Sequence, residues 1–289
     1  MPFHAIQHAD DPRLQPYALI RDRDAAGPSA RPGLFVGESP LVVQAMLERP
    51  GCTQSLLIAP RHQERAQAML DARAPSQPEP PVFVAPDALL ETITGFNIHR
   101  GFLAIGARPP QPALAQLLPP APQPAALLCI EGVNNMDNIG QLFRVAAAMG
   151  CCGVLLSPDC HDPLYRKSLR VSCGCALRVP FARSTDWHSD LQRLHAAHHC
   201  TLIGATGRAP HTVAQAAAAL STAPAAASAT HSPARRIALL VGAEYAGLQP
   251  ATLDLCQMQV RIPMAPGVDS LNVAVAAAVC LDRLAPERS

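Results

Sequence analysis

Short apolar runs alternate along the chain with longer segments of mixed polarity. In the first third, LFVG (34–37), SLLIA (55–59), VFVA (82–85) and Phe102–Ala107 are brief and bounded by Pro, Gly or Thr, so they predict buried strands. Pro40–Leu47, residues 61–73 and the stretch from Pro86–Asp87 carry helix formers between them and predict helices. A small α/β domain follows from this alternation. Residues 1–30, broken by Pro12, Pro16 and Pro28, predict an irregular arm ahead of it. Seven prolines in 108–124 predict a semi-rigid linker. The expected organisation is therefore 1–107, a linker at 108–124, and a second domain over 125–289.

From Ala125 the alternation sharpens. ALLCI (126–130), VLLS (154–157), TLIGA (201–205), IALLVG (237–242) and VRIPM (260–264) predict strands. Residues 139–150, 163–175 and 186–199 predict helices, the first closed by Gly150. Strands alternating with helices imply a parallel sheet covered on both faces. Residues 209–236, mainly Ala, Ser, Thr and Pro, predict an exposed low-complexity excursion. The last helix runs through Val273–Leu281 with almost no polar face, so it should be buried in its own domain or against another subunit.

Ligands of such sheets bind beyond the carboxyl ends of the strands, and three strand ends here carry unusual polar residues. The first has Asn138, a candidate helix N-cap, then Gly140 and, six residues after the Asn, Arg144, expected to project near the same side. The second is VGAEYAGL (241–248), with Glu244 in a turn bracketed by glycines. The third is IPMAPGVDSLNV (262–273), where Ser270 is the candidate cap of the last helix and Asn272 follows. Each residue alone reads as a cap, a turn acid or a solvated helix position; three such sites in one domain point to a shared ligand. The loop GVNNMDNIG lacks the G-x-G-x-x-G spacing of dinucleotide-binding turns, a phosphate-binding loop is absent, and Ser270 is not in a nucleophile elbow. A nucleotide-dependent oxidoreductase and a serine hydrolase are thereby disfavoured.

Composition changes this picture little. The net charge of +1 gives no global nucleic-acid signature, so any basic surface must be local. The best local patch is Arg166, Lys167 and Arg170, beside Tyr165; Lys167 is the one lysine of the chain. Ten cysteines without a C-x-x-C pair, several in apolar runs, read as reduced thiols. His161 and the His195, His198 and His199 cluster lack companion ligands, so no metal is expected. The first 25 residues are too charged for a secretory signal, and no apolar run approaches the ~20 residues of a membrane span. A cytoplasmic location is expected.

Together the three segments resemble the signature motifs of the SpoU/TrmH-type RNA 2′-O-ribose methyltransferases of the SPOUT class. Asn138, Gly140 and Arg144 match the first motif; Gly242, Glu244, Gly247 and Leu248 the second; Ile262–Met264, Gly267 and Ser270–Val273 the third. Ser172 and Gly174 after a basic helix are similar too, and the first domain is similar more loosely, mainly through HRGFLAIG (99–106). The resemblance implies a deep trefoil knot in the C-terminal domain, a homodimer, and S-adenosylmethionine as methyl donor. It implies that Gly242, Gly247, Ile262, Met264 and Leu271 bind that cofactor, and that transfer RNA or ribosomal RNA is the substrate, bound partly by the N-terminal domain. Arg144 is then the candidate activating residue. Asn138, Glu244, Ser270 and Asn272 are its catalytic companions, and Arg166, Lys167 and Arg170 the RNA contacts. A knotted RNA-binding protein without catalysis is the alternative.

Overall fold

Two sheets organise the chain, each in its own unit. The computed structural model describes residues 3–18, 20, 33–73, 78–95, 101–222 and 235–286. One unit comprises Met1–Pro110 and Pro163–Arg178, the other Gln111–Asp162 and Val179–Ser289.

The first unit has β1 (Phe3–Ala5), β2 (Leu34–Glu38), β3 (Thr53–Ile58), β4 (Val82–Val84) and β5 (Phe102–Ala107) in the order β1-β4-β3-β5-β2. β5 is antiparallel to both neighbours and the remaining pairs are parallel. Helices α1 (Pro40–Glu48), α2 (Gln63–Asp71) and α3 (Asp87–Thr94) connect the strands. The expected arm is only partly irregular. Its first residues form the edge strand β1, and Leu14, Tyr17 and Ile20, spaced three apart, are buried in the core with Leu57, Phe83 and Leu103. The Tyr17 hydroxyl finds a partner in Ser55 Oγ at 2.8 Å, as a buried phenol must. Residues 21–30 of the arm and the start of HRGFLAIG, before Gly101, lie outside the described residues.

Pro163–Arg178 belongs to this unit rather than to the second, where the sequence had placed it. Its α5 (Arg166–Val171) and α6 (Cys175–Arg178) replace the single helix expected over 163–175. The reason is a carboxylate 128 residues earlier. Glu38 is buried at the end of β2 and accepts from Arg166 Nη1, and from Arg170 Nη1 at 3.3 Å. A buried carboxylate must be paired, so the two arginines and the strand end hold each other. Gly174, at φ +81°, lets the chain lie against α1: a Cβ there would sit 2.8 Å from that of Ala45.

In the second unit, β6 (Ala125–Glu131), β7 (Gly153–Leu156), β8 (Phe181–Arg183), β9 (Thr201–Ala205), β10 (His211–Thr212), β11 (Arg236–Gly242) and β12 (Met258–Arg261) form one sheet. Their order is β10-β12-β9-β11-β6-β7-β8, with every adjacent pair parallel. The central strands β6 and β11 pair over seven residues, from Ala125–Arg236 to Glu131–Gly242. Their unbroken apolar sequences fit burial on both faces. The helices are α4 (Met136–Ala148), α7 (Trp187–Ala196), α8 (Val213–Thr222), α9 (Pro250–Leu255) and α10 (Val273–Leu284). Trp187, Leu191, Leu194, Leu202, Leu240 and Leu248 form a core beneath the sheet.

Two segments differ from expectation here. The proline-rich stretch is not a free linker from residue 111 on, because Leu117 and Leu118 are buried in that core. The low-complexity excursion begins with structure: β10 and then α8. Its Ala-rich run favours helix, and Thr212 and Gln215 close a capping box, Gln215 N donating to Thr212 Oγ1 and Thr212 N to Gln215 Oε1. Residues 223–234 lie outside the described residues. Among the described residues no helix is long and apolar enough to cross a membrane.

Candidate functional site

The site is built at the carboxyl ends of β9, β11 and β12. A solvent-open cleft lies there, the kind of concave place beyond strand ends where such sheets bind ligands. Its walls come from four places: Thr206 and Gly207 after β9, the turn after β11, residues 262–271 after β12, and the inner face of α10.

The turn after β11 is shaped by its glycines. Gly247 has φ +67°, and its N–H donates to the Ala243 carbonyl at 2.9 Å, closing the turn back on the strand. The return passes so near that a Cβ on Gly242 would fall 2.1 Å from the Gly247 carbonyl carbon, so only glycine fits. Leu248 then plugs into the core. The two glycines and the leucine of this segment are thus explained by one backbone path.

The path is locked from beneath by a residue that sequence reasoning passed over. Glu131, the last residue of β6, is buried. Its Oε2 accepts from Gln249 N at 2.9 Å and its Oε1 from Thr252 Oγ1 at 2.6 Å; Thr252 Oγ1 in turn accepts from Trp187 Nε1 at 3.1 Å. The carboxylate therefore holds the amino end of α9, where free backbone N–H groups favour an anion. The signal in the sequence was an acid closing an otherwise apolar strand, AALLCIE.

All five residues expected to bind a cofactor, Gly242, Gly247, Ile262, Met264 and Leu271, line the cleft. Of the five expected catalytic residues, Glu244 and Ser270 line it as well. Asn138 and Asn272 meet instead at the amino ends of two helices, where Asn272 Nδ2 donates to Asn138 Oδ1 at 2.9 Å. Both cap assignments shift. Asn135, not Asn138, caps α4, accepting from Asp137 N and Asn138 N, which leaves Asn138 in the first turn with its side chain buried. Asn272, not Ser270, caps α10, accepting from Ala274 N at 2.9 Å. One side chain thereby fixes the start of α10 through its oxygen and Asn138 through its nitrogen.

Arg144 does not share the face of Asn138. Six residues at ~100° each leave it about 120° around the helix, and it is exposed where Asn138 is buried. Among the described residues no ion pair joins it to Glu244, which is also exposed. The basic residues expected to meet RNA sit in the first unit, two of them on Glu38 as described. Cys280 lines the inner wall of the cleft, and burial pushes its thiol up to about 12, so it stays protonated at neutral pH. The described cysteines form no disulfides. Among the described residues no group of three or more His, Cys, Asp or Glu is placed to hold a metal ion.

Residues 125–282 match the SpoU rRNA Methylase family. The chain is 38% identical over 272 residues to an uncharacterized tRNA/rRNA methyltransferase of Mycobacterium tuberculosis, covering 93% of this chain and 87% of that protein. It is 30% identical over 251 residues to the 23S rRNA (guanosine-2′-O-)-methyltransferase RlmB of Escherichia coli, covering 86% and 96%. In fold it is similar to an AdoMet-bound rRNA methyltransferase from Sinorhizobium meliloti, with a TM-score of 0.73 at 21% identity and 98% coverage of both chains.

Proposed function

The chain belongs to the SpoU rRNA Methylase family, and from that premise we propose that it transfers a methyl group from S-adenosylmethionine to a ribose 2′-hydroxyl of RNA. The observation that carries this reading is convergence: the turn after β11 and residues 262–271 line one cleft, and Asn272, which starts the helix beside it, bonds back to Asn138, 134 residues earlier in the chain. The relation to an enzyme named for guanosine-2′-O-methylation of 23S rRNA supports the ribose hydroxyl as acceptor and ribosomal RNA as a substrate to try first.

The cleft suits the donor. Val241, Val260, Ile262 and Leu271 offer apolar walls for an adenine ring and thioether carbons, and the glycine turn exposes backbone groups for polar edges. When bound, S-adenosylmethionine supplies an electrophilic methyl group on a sulfonium. The protein's residues must then present the hydroxyl and manage its proton. A 2′-hydroxyl is a poor nucleophile until its proton is shared or its alkoxide stabilised, help worth about 10²–10⁴ in rate. Arg144 is the cation for that task. Its guanidinium does not lose a proton near neutral pH, so its role is electrostatic stabilisation rather than base catalysis. Asn138, held by Asn272, orients the ribose, and Ser270 and Glu244 face the reacting groups from the cleft. Cys280, kept as a neutral thiol, does not compete for the methyl group.

Two architectural features belong to the same reading. A deep trefoil knot is supported by strand order: β11 lies between β9 and β6 although it follows both in sequence, and β12 returns beyond β9. A homodimer is supported by Val275 and Val279, one turn apart on α10 and 49% and 39% exposed, an apolar stripe that a second copy would cover. For RNA, Arg170 is 41% exposed beyond its bond to Glu38 and, with Lys167, is the better phosphate contact than Arg166.

The test is calorimetry with S-adenosylmethionine followed by labelled methyl transfer to total RNA and mapping of the modified nucleotide. Donor binding and an alkali-resistant product are expected, and Arg144→Ala should lower turnover at least 100-fold with donor affinity kept. A base-methylated product, or an Arg144→Ala enzyme with normal turnover, would overturn the proposal.

A further inference from the structure

We infer that Tyr245 is a stacking platform for an unpaired base of the RNA, beside the nucleotide whose ribose enters the cleft. The inference rests on the RNA methyl transfer proposed above and adds a residue and a contact to it.

Tyr245 stands at the apex of the turn closed between Ala243 and Gly247, and its relative exposure is 101%. The other described aromatic residues are buried or half-buried, so this ring departs from the rest of the chain. The fold has no use for it: a fully exposed ring adds nothing to packing, and such an apex is ordinarily filled by Gly, Asn or Asp. Its position is what distinguishes it. Glu244 before it and Gly247 after it both line the cleft, so the ring, itself outside the lining, stands beside the mouth through which an acceptor must enter. Leu271 and Val268, 40% and 49% exposed, lie on the segment that forms another rim of that mouth.

The charges around the mouth select the part of the nucleic acid that meets it. Glu244 and Asp269 are exposed carboxylates on the cleft and repel phosphates, while Arg261, also in the lining, donates from Nη1 to the carbonyls of Ala209 and Pro210. Bases, which are uncharged, are left to approach the ring and the apolar rim. Every base has a π-face, so stacking on Tyr245 tolerates any sequence, and it captures a base only where the strand is unpaired. A protein partner fits less well, because a single ring flanked by a carboxylate is not a contiguous apolar patch.

The full chain carrying Tyr245→Ala or Tyr245→Phe tests this. Binding of a mixed-sequence single-stranded RNA is measured by fluorescence anisotropy without donor, alongside donor affinity by calorimetry and oligomeric state by light scattering. Tyr245→Ala should weaken RNA binding on the order of 10-fold, equally at 50 and 200 mM salt because no phosphate contact is lost. Tyr245→Phe should stay within about 2-fold, because it keeps the ring. Donor affinity and oligomeric state should not move. Unchanged RNA binding by Tyr245→Ala overturns the inference, as does a loss confined to donor affinity or to assembly. Because binding is read without turnover, a wild-type protein that binds RNA and transfers no methyl defeats the functional reading while the Tyr245 result still stands or falls alone. A wild-type protein that binds no RNA defeats both.

Discussion

Two carboxylates stand at the carboxyl ends of adjacent strands and do opposite things. Glu131 ends β6 directly opposite Gly242, the last residue of β11, and Glu244 follows two residues later. Glu131 is buried, and both its oxygens accept hydrogen bonds from the segment that closes the neighbouring turn. Glu244 is exposed on the turn itself and lines the cleft. On neighbouring strand ends, one acid holds the segment after the turn while the other stays exposed on the turn itself. Burial divides the two: the acid out of water holds backbone and hydroxyl groups of the next segment, and the acid in water faces the cleft.

The largest effect should come from breaking the buried member. Glu131→Ala leaves Gln249 N–H and the Thr252 hydroxyl without their acceptor, and bonds to a charged group are worth about 1.5–3 kcal/mol each. We expect a loss of about 3 kcal/mol in denaturant unfolding at an unchanged m-value, together with weaker donor binding because the turn is released. Glu131→Gln keeps one acceptor oxygen but turns an amide N–H₂ toward a donor, so it should fall between. An alanine variant as stable as the wild type would dissolve the division between the two acids.

The exposed member should behave in reverse. Glu244→Gln should change stability by less than about 0.5 kcal/mol, as exposed substitutions do. Its effect should depend on charge. S-adenosylmethionine carries a sulfonium cation and S-adenosylhomocysteine a neutral thioether, so loss of a cleft carboxylate should weaken the first by about 10-fold, or ~1.4 kcal/mol, and barely alter the second. Calorimetry with both ligands decides it. Equal losses would mean that Glu244 shapes the cleft rather than charging it.

The same division explains what the sequence could tell. Residues that touch the cleft lie next to glycines and strand ends: Glu244 was legible from its glycine-bracketed turn, and Gly242, Gly247, Met264 and Leu271 from the resemblance of their segments to the SpoU/TrmH motifs. The longer strands were legible too, since a run such as ALLCI admits few readings, whereas the short edge strands β1 and β10 were not. Residues that act through burial were not. Glu131 has its meaning only through Gln249 and Thr252, 118 and 121 residues away. Arg166 and Arg170 looked like a basic helix face until Glu38 supplied a partner across 128 residues and more. The cap of α4 was misplaced by three residues because Asn135 and Asn138 are the same residue type, one in the cap and the other a turn inside. The capping box of α8 was different: Thr212 and Gln215 announce it locally, and the low-complexity composition around them masked it.

The smallest and most selective effect should come from Asn272, where the two kinds of residue meet in one side chain. Its oxygen caps α10 and its nitrogen holds Asn138. Asn272→Ala removes both and should cost about 1 kcal/mol, the usual worth of a cap. Asn272→Asp keeps an oxygen for Ala274 N, and its charge favours the helix terminus, so stability should return to within a few tenths of a kcal/mol of wild type. It cannot donate to Asn138, however, and places an acceptor against an acceptor there. If Asn138 must be held for the ribose to be presented, Asn272→Asp will be as slow as Asn272→Ala while being as stable as the native chain. If the two variants differ in turnover as they differ in stability, the bond to Asn138 is scaffold only, and the boundary between geometry and chemistry lies nearer the cleft than Asn138.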